Sequence, residues 1–253
     1  MTITLRPHQV VAINDVNRLK LNPVNKAIMC VLPTGAGKSL TLADYARNWY
    51  HANEKTIVFA HRDKLISQLS EALCKTGVPH GFICSDKAKR DITNRNLKLF
   101  GDSYYDELSP VIISSNPTFA ARLKNGKLPM HYVWSVQHWI QDEAQHVTMD
   151  SQLWGSCRKA LKNADGLGFT ATPIRGDKKG LGSHADGIFD AMSVTTNMWE
   201  LSQKQMLSAY KIYIPPTKVD LSGLNATSGG DYNQKQVAGR VDKREITGDA
   251  VEH

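Results

Sequence analysis

The sequence predicts an α/β fold: a doubly wound, mostly parallel sheet with helices on both faces. Two observations carry this prediction. Apolar runs at residues 27–32, 56–60 and 111–115 are typical of buried strands, and each precedes a segment with helical spacing. Polar and charged residues stand directly after these runs. Because ligands of such sheets bind beyond the carboxyl ends of the strands, we expect the functional residues at that edge.

Length and composition fit one large domain, or one domain with an appendage, since the chain has 253 residues and is 41% hydrophobic. No apolar run approaches the ~18 residues of a membrane span, and the first residues lack a signal-peptide layout. We therefore expect no membrane partner and a cytoplasmic location. The four widely spaced cysteines indicate reduced thiols rather than a zinc site or disulfides. The net charge of +7 is compatible with a polyanionic partner without demonstrating one.

The first predicted element is a helix that starts at Pro7 and continues over residues 9–20 with helical apolar spacing. Gln9 stands at its beginning. Its amide offers a donor and an acceptor, which suits the edge of an adenine ring. Spacing alone favours the alternative, an exposed glutamine at a helix start.

A loop with two glycines, residues 33–39, follows the first apolar run and precedes an amphipathic segment at residues 40–50. Strand, glycine loop and helix in this order are typical of a phosphate-binding P-loop. Gly35 and Gly37 would let the backbone turn sharply and bring its N–H groups close to phosphate oxygens.

The two residues after Gly37 complete the predicted phosphate site. Lys38 would reach the β- and γ-phosphates, and Ser39 would place its hydroxyl on Mg²⁺. The strict pattern has a glycine where this chain has Leu32, so a plain glycine-rich turn is the alternative. The predicted nucleotide-binding residues of the loop are Pro33, Thr34, Gly35, Ala36, Gly37, Lys38 and Ser39.

Basic residues and hydroxyls follow two other strands. Arg62 stands just after the run at 56–60, while Thr118 and Arg122 follow the run at 111–115. These three residues are candidates for nucleic-acid phosphates, which need donors and cations at one edge. A solvated loop arginine is the alternative for Arg62. We expect residues 116–118 to break the strand before a helix begins at residue 119.

A short third strand is predicted at residues 82–84, and the densest basic segment, residues 85–99, follows it. We interpret that segment as the solvated face of a helix. Helices are also predicted at residues 151–160 and near 198–206. A mobile basic loop is expected at 176–182, and a last strand at 210–214.

An acidic pair, Asp142 and Glu143, follows a strand candidate at residues 134–140. Asp142 would hold the Mg²⁺ that bridges the phosphates, and Glu143 would polarise the attacking water. An acidic turn is the alternative. His146 would relay between the phosphate site and the next loop, or would be an ordinary polar residue.

Another buried strand is predicted from residue 166 onward, with the hydroxyls of Thr170 and Thr172 at its end. Taken together, the motifs resemble the first RecA-like domain of superfamily 2 helicases, and in particular the DEAD/DEAH-like DNA translocases that include restriction-enzyme motor subunits. The segments that carry the resemblance are residues 5–9 (glutamine motif), 33–39 (motif I), 58–68 (motif Ia), 113–122 (motif Ib), 142–146 (motif II) and 168–175 (motif III). Residues 116–118 depart from the usual Gln-Thr pairing of motif Ib.

The resemblance implies ATP and Mg²⁺ as cofactors, a nucleic-acid partner with DNA favoured over RNA, and adenine recognition by Gln9. It also implies that Thr170 and Thr172 couple hydrolysis to movement along the nucleic acid. We expect residues 1–215 to form the RecA-like domain and residues 216–253 an irregular tail. That tail would lead toward a second RecA-like domain outside this chain, supplied in cis or in trans. The alternatives are a non-motor P-loop enzyme and a short ATP-binding regulatory module.

Overall fold

The computed structural model describes residues 4–60, 62–147, 154–175, 180–185, 187–208, 223–224 and 236–238. The strands are β1 (Ala27–Val31), β2 (Thr56–Ala60), β3 (Gly81–Ile83), β4 (Val111–Ser115), β5 (His138–Asp142), β6 (Asp165–Thr170) and β7 (Ala191–Val194). The helices are α1 (Pro7–Lys20), α2 (Lys38–His51), α3 (Asp63–Lys75), α4 (Asp86–Phe100), α5 (Asn116–Lys124), α6 (Met130–Trp134), α7 (Trp154–Ala160) and α8 (Met198–Gln203).

One seven-stranded sheet organises these elements, in the order β3-β4-β2-β5-β6-β1-β7. Every strand pair is parallel. A parallel pair cannot be closed by a tight hairpin, so the chain returns between strands through crossover segments, most of them helical. The predicted doubly wound, mostly parallel sheet is therefore confirmed.

Alternating side chains along each strand build a core on each face of the sheet. In β1, Ile28 and Cys30 point to one core, and Met29 and Val31 point to the other. Helices α1 to α4 pack on the first face and α5 to α7 on the second. The side chains of all four cysteines are buried. Among the described helices, none is long and apolar enough to cross a membrane.

Two predicted boundaries were wrong. Helix α5 begins at Asn116 rather than at residue 119, because the Ser115 hydroxyl caps it by accepting from the Thr118 N–H. Pro117 is tolerated there, because an N–H group in the first turn of a helix has no intrahelical acceptor and proline therefore loses no hydrogen bond. The strand predicted at 134–140 is instead the end of α6 followed by β5, which carries Asp142 as its last residue.

Strand β7 was missed by the sequence interpretation. It is the edge of the sheet, so Met192 and Val194 stay exposed and only Ser193 is buried, which weakens the apolar pattern. The Ser193 hydroxyl donates to Asp15 of α1 (2.7 Å). Helix α8 is shorter than predicted. The strand predicted at 210–214, the loop residues 176–179 and most of the tail lie outside the described residues.

Candidate active site

The carboxyl edge of the sheet collects the predicted site residues in two groups. β1, β6 and β5 are neighbours, so the loop after β1 and the ends of β6 and β5 lie side by side. We call this the P-loop half; it comprises residues 33–39, Asp142, Glu143, Gln145, Thr170 and Thr172. The ends of β2, β4 and β3 form the other part of the edge. We call it the basic half; it carries Arg62, Thr118 and Arg122.

The glycine loop has the conformation that a phosphate cradle requires. Gly35 and Gly37 both have positive φ, +81° and +86°, a region that side chains disfavour. Helix α2 begins directly after Gly37, so Lys38 and Ser39 stand in its first turn, where backbone N–H groups lack helical acceptors. Lys38 is half-buried, whereas Thr34 and Ser39 are exposed and Pro33 and Ala36 are buried.

Helix α1 is hydrogen-bonded to this loop through two side chains, Gln9 and His8. Gln9 is only 2% exposed, so the interpretation of an exposed glutamine is wrong. Its Nε2 donates to the Gly37 carbonyl (2.9 Å), and its Oε1 accepts from the Arg6 N–H (2.7 Å). His8 adds a second bond from its Nε2 to the Ala36 carbonyl (2.9 Å). A Cβ on residue 37 would lie 2.5 Å from the Gln9 amide nitrogen, so glycine is needed here for the close approach. Adenine recognition by Gln9 stays a prediction.

Asp142 and Glu143 lie across β6 from the glycine loop. Burial raises the pKa of Asp142, and the neighbouring negative charge of Glu143 raises it further. The Glu143 N–H, which donates to Asp142 Oδ1 (3.0 Å), and the positive charge of Lys38 act in the opposite direction on this pKa. Glu143 itself has a left-handed backbone, with φ 53° and ψ 50°, which is uncommon for this residue type.

Gln145 links the acidic pair to the end of β6, a contact that sequence reasoning missed. Its Nε2 donates to Glu143 Oε2 (2.8 Å), and its Oε1 accepts from the Thr170 hydroxyl (2.6 Å). The Thr170 hydroxyl oxygen in turn accepts from the Thr172 N–H (3.0 Å). His146 is exposed, with its Nε2 3.4 Å from the Gln145 amide nitrogen. The only sequence feature that could have indicated the Gln145 contact is the position of its amide side chain, two residues after Glu143.

The basic half is less enclosed. Arg62 is exposed and directly precedes α3. Thr118 lies in the first turn of α5, where its hydroxyl oxygen accepts from Ser115 Oγ (2.7 Å). Arg122 is half-buried and donates from Nη2 to the carbonyl of Cys84, just after β3 (3.2 Å). The structure therefore places Thr118 and Arg122 on one helix, α5, and Arg62 beyond the end of the neighbouring strand β2. Thr118 was expected in the break before this helix rather than in its first turn.

A sequence-family model described as "Type III restriction enzyme, res subunit" matches residues 2–175. No curated protein matches the sequence. Among solved structures, the chain is similar to the UvsW helicase from bacteriophage T4, with 18% identity and a TM-score of 0.51 over 76% of this chain and 60% of that one. This likeness supports the shared fold alone.

Two further structures are similar at lower TM-scores. A nuclease-deletion mutant of the Type ISP restriction-modification enzyme LlaGI, in complex with a DNA substrate mimic, has 13% identity and a TM-score of 0.49 over 81% of this chain. The Hef helicase domain of Pyrococcus furiosus has 18% identity and a TM-score of 0.46 over 68% of this chain. The chain spans 21% of the LlaGI chain and 35% of the Hef chain, so it corresponds to a part of these larger proteins.

Proposed function

The chain belongs to the type III restriction enzyme res subunit family, and from this premise we propose that it is an Mg²⁺- and ATP-dependent motor domain acting on DNA. It carries the RecA-like ATPase fold of superfamily 2 helicases and translocases. We assign residues 1–215 to the ATP-binding domain and residues 216–253 to a linker toward a second RecA-like domain. A restriction-enzyme family favours DNA over RNA, and it disfavours a small-molecule kinase.

One observation carries the proposal: the P-loop and the Asp142–Glu143 pair end side by side at the sheet edge, separated only by β6. The residues fit a hard divalent cation, because Ser39 offers an exposed hydroxyl and Asp142 a carboxylate. Burial and the charge of Glu143 both raise the pKa of Asp142, and a bound cation would offset both effects. Ser39 and Asp142 would hold Mg²⁺, which would supply positive charge to neutralise the phosphates of the nucleotide.

The remaining residues of the P-loop half would position the phosphates and the attacking water. Lys38 would hold the phosphates as a point charge, beside the N–H groups that begin α2. Glu143 would orient the water and accept its proton. Because Gln145 fixes one carboxylate oxygen of Glu143, the orientation of the other oxygen is defined as well. Thr170, bonded to Gln145, would transmit a change at Glu143 to Thr172 and the segment after β6.

DNA would bind along the basic half, through phosphate contacts of Arg62, Thr118 and Arg122. Full turnover would need an arginine from the second RecA-like domain, a contribution worth about 10³–10⁵ in rate. We therefore expect residues 1–253 alone to bind ATP and hydrolyse it slowly, without strand separation. An ATPase and strand-separation assay, with and without single-stranded DNA, checks this expectation. Brisk unwinding by the monomer would contradict it.

The direct test of the phosphate site is titration of Mg·ATP into the chain and into its Lys38→Ala variant. Loss of the phosphate charge should weaken affinity by about tenfold or more, because charge-assisted contacts are the strong ones. Lys98→Ala, which removes an exposed lysine near the end of α4, is the matched control and should bind like the parent. Equal affinities of Lys38→Ala and parent would overturn the P-loop assignment.

A further inference from the structure

A buried pair of amides joins the basic half of the edge to the P-loop half. Asn116 is the first residue of α5 and is 1% exposed, and Gln141 of β5 is 3% exposed. Asn116 Nδ2 donates to Gln141 Oε1 at 3.0 Å. Buried amides are rare unless they are hydrogen-bonded, so this pair is a fixed part of the core rather than a surface contact.

The pair reaches across a whole strand. β4 and β5 do not pair with each other, because β2 lies between them in the sheet. Gln141 Nε2 donates to the carbonyl of Asp142 (2.7 Å) and, at 3.4 Å, to the carbonyl of Phe59 in β2. The network therefore touches the carboxyl ends of β5 and β2 and the start of α5 at once.

Each end of the pair is next to a residue with a proposed role. Asn116 shares the first turn of α5 with Thr118, the candidate for a DNA phosphate. The Asp142 carbonyl belongs to the peptide that leads into Glu143, whose left-handed conformation is unusual for its type. Gln141 therefore holds the peptide that directs the proposed base.

Unused hydrogen-bonding capacity and free volume lie beside the pair. A cavity of about 20 Å³ is lined by Asn116, Trp139 and Gln141 among others. Within the described part of the chain, Asn116 Oδ1 and Trp139 Nε1 are buried without a partner. This volume suffices for one water molecule between polar groups. The interior beside Asn116 is thus not fully close-packed.

We propose that Asn116 and Gln141 are positioning residues that couple DNA binding at the basic half to the placement of Asp142 and Glu143. The inference rests on the function proposed above. A bound DNA strand that shifts the start of α5 would move the Asn116 amide away from Gln141, so that Asn116 no longer donates to it. Gln141 Oε1 would then be buried without a partner unless Gln141, and with it the Asp142 carbonyl, followed the movement. Coupling of this kind is reciprocal, so Mg·ATP should affect DNA affinity by the same factor as DNA affects Mg·ATP affinity.

The test measures the affinity of the 253-residue chain for a single-stranded oligonucleotide, with and without a saturating, non-hydrolysable Mg·ATP analogue. For the wild type we expect each ligand to change the affinity for the other by a factor of about 5 or more. Asn116→Ala and Gln141→Met should each bring the factor close to 1 while changing each separate affinity by less than about 2-fold. If the two amides act as a unit, the double variant should show no further change.

Ser70→Ala is the matched control. It also removes a buried hydrogen-bonding group, one that accepts from Asn96 between α3 and α4, and it should leave the factor unchanged. Thermal melting checks that each variant is folded; if Asn116→Ala is not, Gln141→Met decides, because methionine keeps the length and volume of glutamine. An unchanged factor in a folded variant would overturn the proposal, as would a wild type that binds both ligands independently. A wild type that binds neither ligand would instead overturn the proposed function, and this inference with it.

Discussion

The two halves of the carboxyl edge lie on one sheet but are built differently. In the P-loop half, functional side chains are tied to neighbouring elements: Gln9 to the loop, and Gln145 to both Glu143 and Thr170. In the basic half, Arg62 is exposed and Arg122 donates to the Cys84 carbonyl. Hydrolysis requires a water, a metal and a phosphate in a fixed geometry, which prebuilt hydrogen bonds supply. Phosphates of any DNA sequence can be held by exposed cations, which tolerate variation in position.

The largest effect should come from the base in the P-loop half. Glu143→Gln should keep Mg·ATP affinity and lower the rate of hydrolysis by about 10²–10⁴, because a positioned base contributes that much. Single-turnover hydrolysis by the chain, beside nucleotide titration, measures both quantities. Asp142→Asn should instead raise the Mg²⁺ concentration needed for binding. Glu107→Gln, at an exposed position, is the control; parental turnover in Glu143→Gln would place the base elsewhere.

A second prediction concerns His80, which directly precedes β3 and so lies at the opposite end of that strand from the basic half. Burial lowers the pKa of His80 to about 4, partly offset by its bond to the Val78 carbonyl. The neutral ring accepts from Ser70, whose oxygen accepts from Asn96, so the network joins the residue before β3 to α3 and α4. In the unfolded chain the ring binds a proton near pH 6.5, whereas in the folded chain it does so only near pH 4. The free energy of unfolding is therefore unaffected by His80 above pH 6.5 and decreases as the pH falls toward 4. The decrease should amount to about 3 kcal/mol.

Chemical denaturation of the chain between pH 7 and pH 4 measures this dependence. His138, whose pKa burial also lowers, adds to the trend, and Asp142, whose pKa is raised, opposes it. The difference between wild type and His80→Asn isolates the His80 contribution, since asparagine does not titrate. Parallel stability curves for the two proteins would show that His80 does not carry this effect.

The smallest expected effect belongs to the two cations of the basic half, Arg62 and Arg122. Arg62→Ala combined with Arg122→Ala should weaken DNA binding uniformly over sequences and lower the slope of log affinity against log salt by about 1.4, since each phosphate contact on a single strand contributes about 0.7. Fluorescence anisotropy at several salt concentrations gives the slope. Lys75→Ala with Lys98→Ala removes the same charge from exposed positions near the ends of α3 and α4. A slope that falls equally in both pairs would mean that net charge, not the basic half, determines binding.

The sequence by itself determined the local elements. Strand β2 and strand β4 follow the predicted runs at 56–60 and 111–115, and the turn glycines are where the loop needs positive φ. Short-range patterns suffice for these features, because apolar periodicity, caps and backbone freedom depend on neighbours in the chain. The boundaries that failed, at α5 and β5, depended on a serine cap and a short helix that a strand pattern does not reveal.

Only the tertiary structure decided which side chains meet. Strand order places β6 between the P-loop and Asp142, and no local pattern specifies that order. The bonds from Gln9 to Gly37, from Gln145 to Thr170 and from Asn116 to Gln141 join residues far apart in sequence. Such polar contacts form because packing of the sheet and helices brings these groups together and shields them from water, where a polar group needs a hydrogen-bond partner. Which side chains form these contacts is therefore decided by the folded core, whereas the motifs around them are recognisable in the sequence alone.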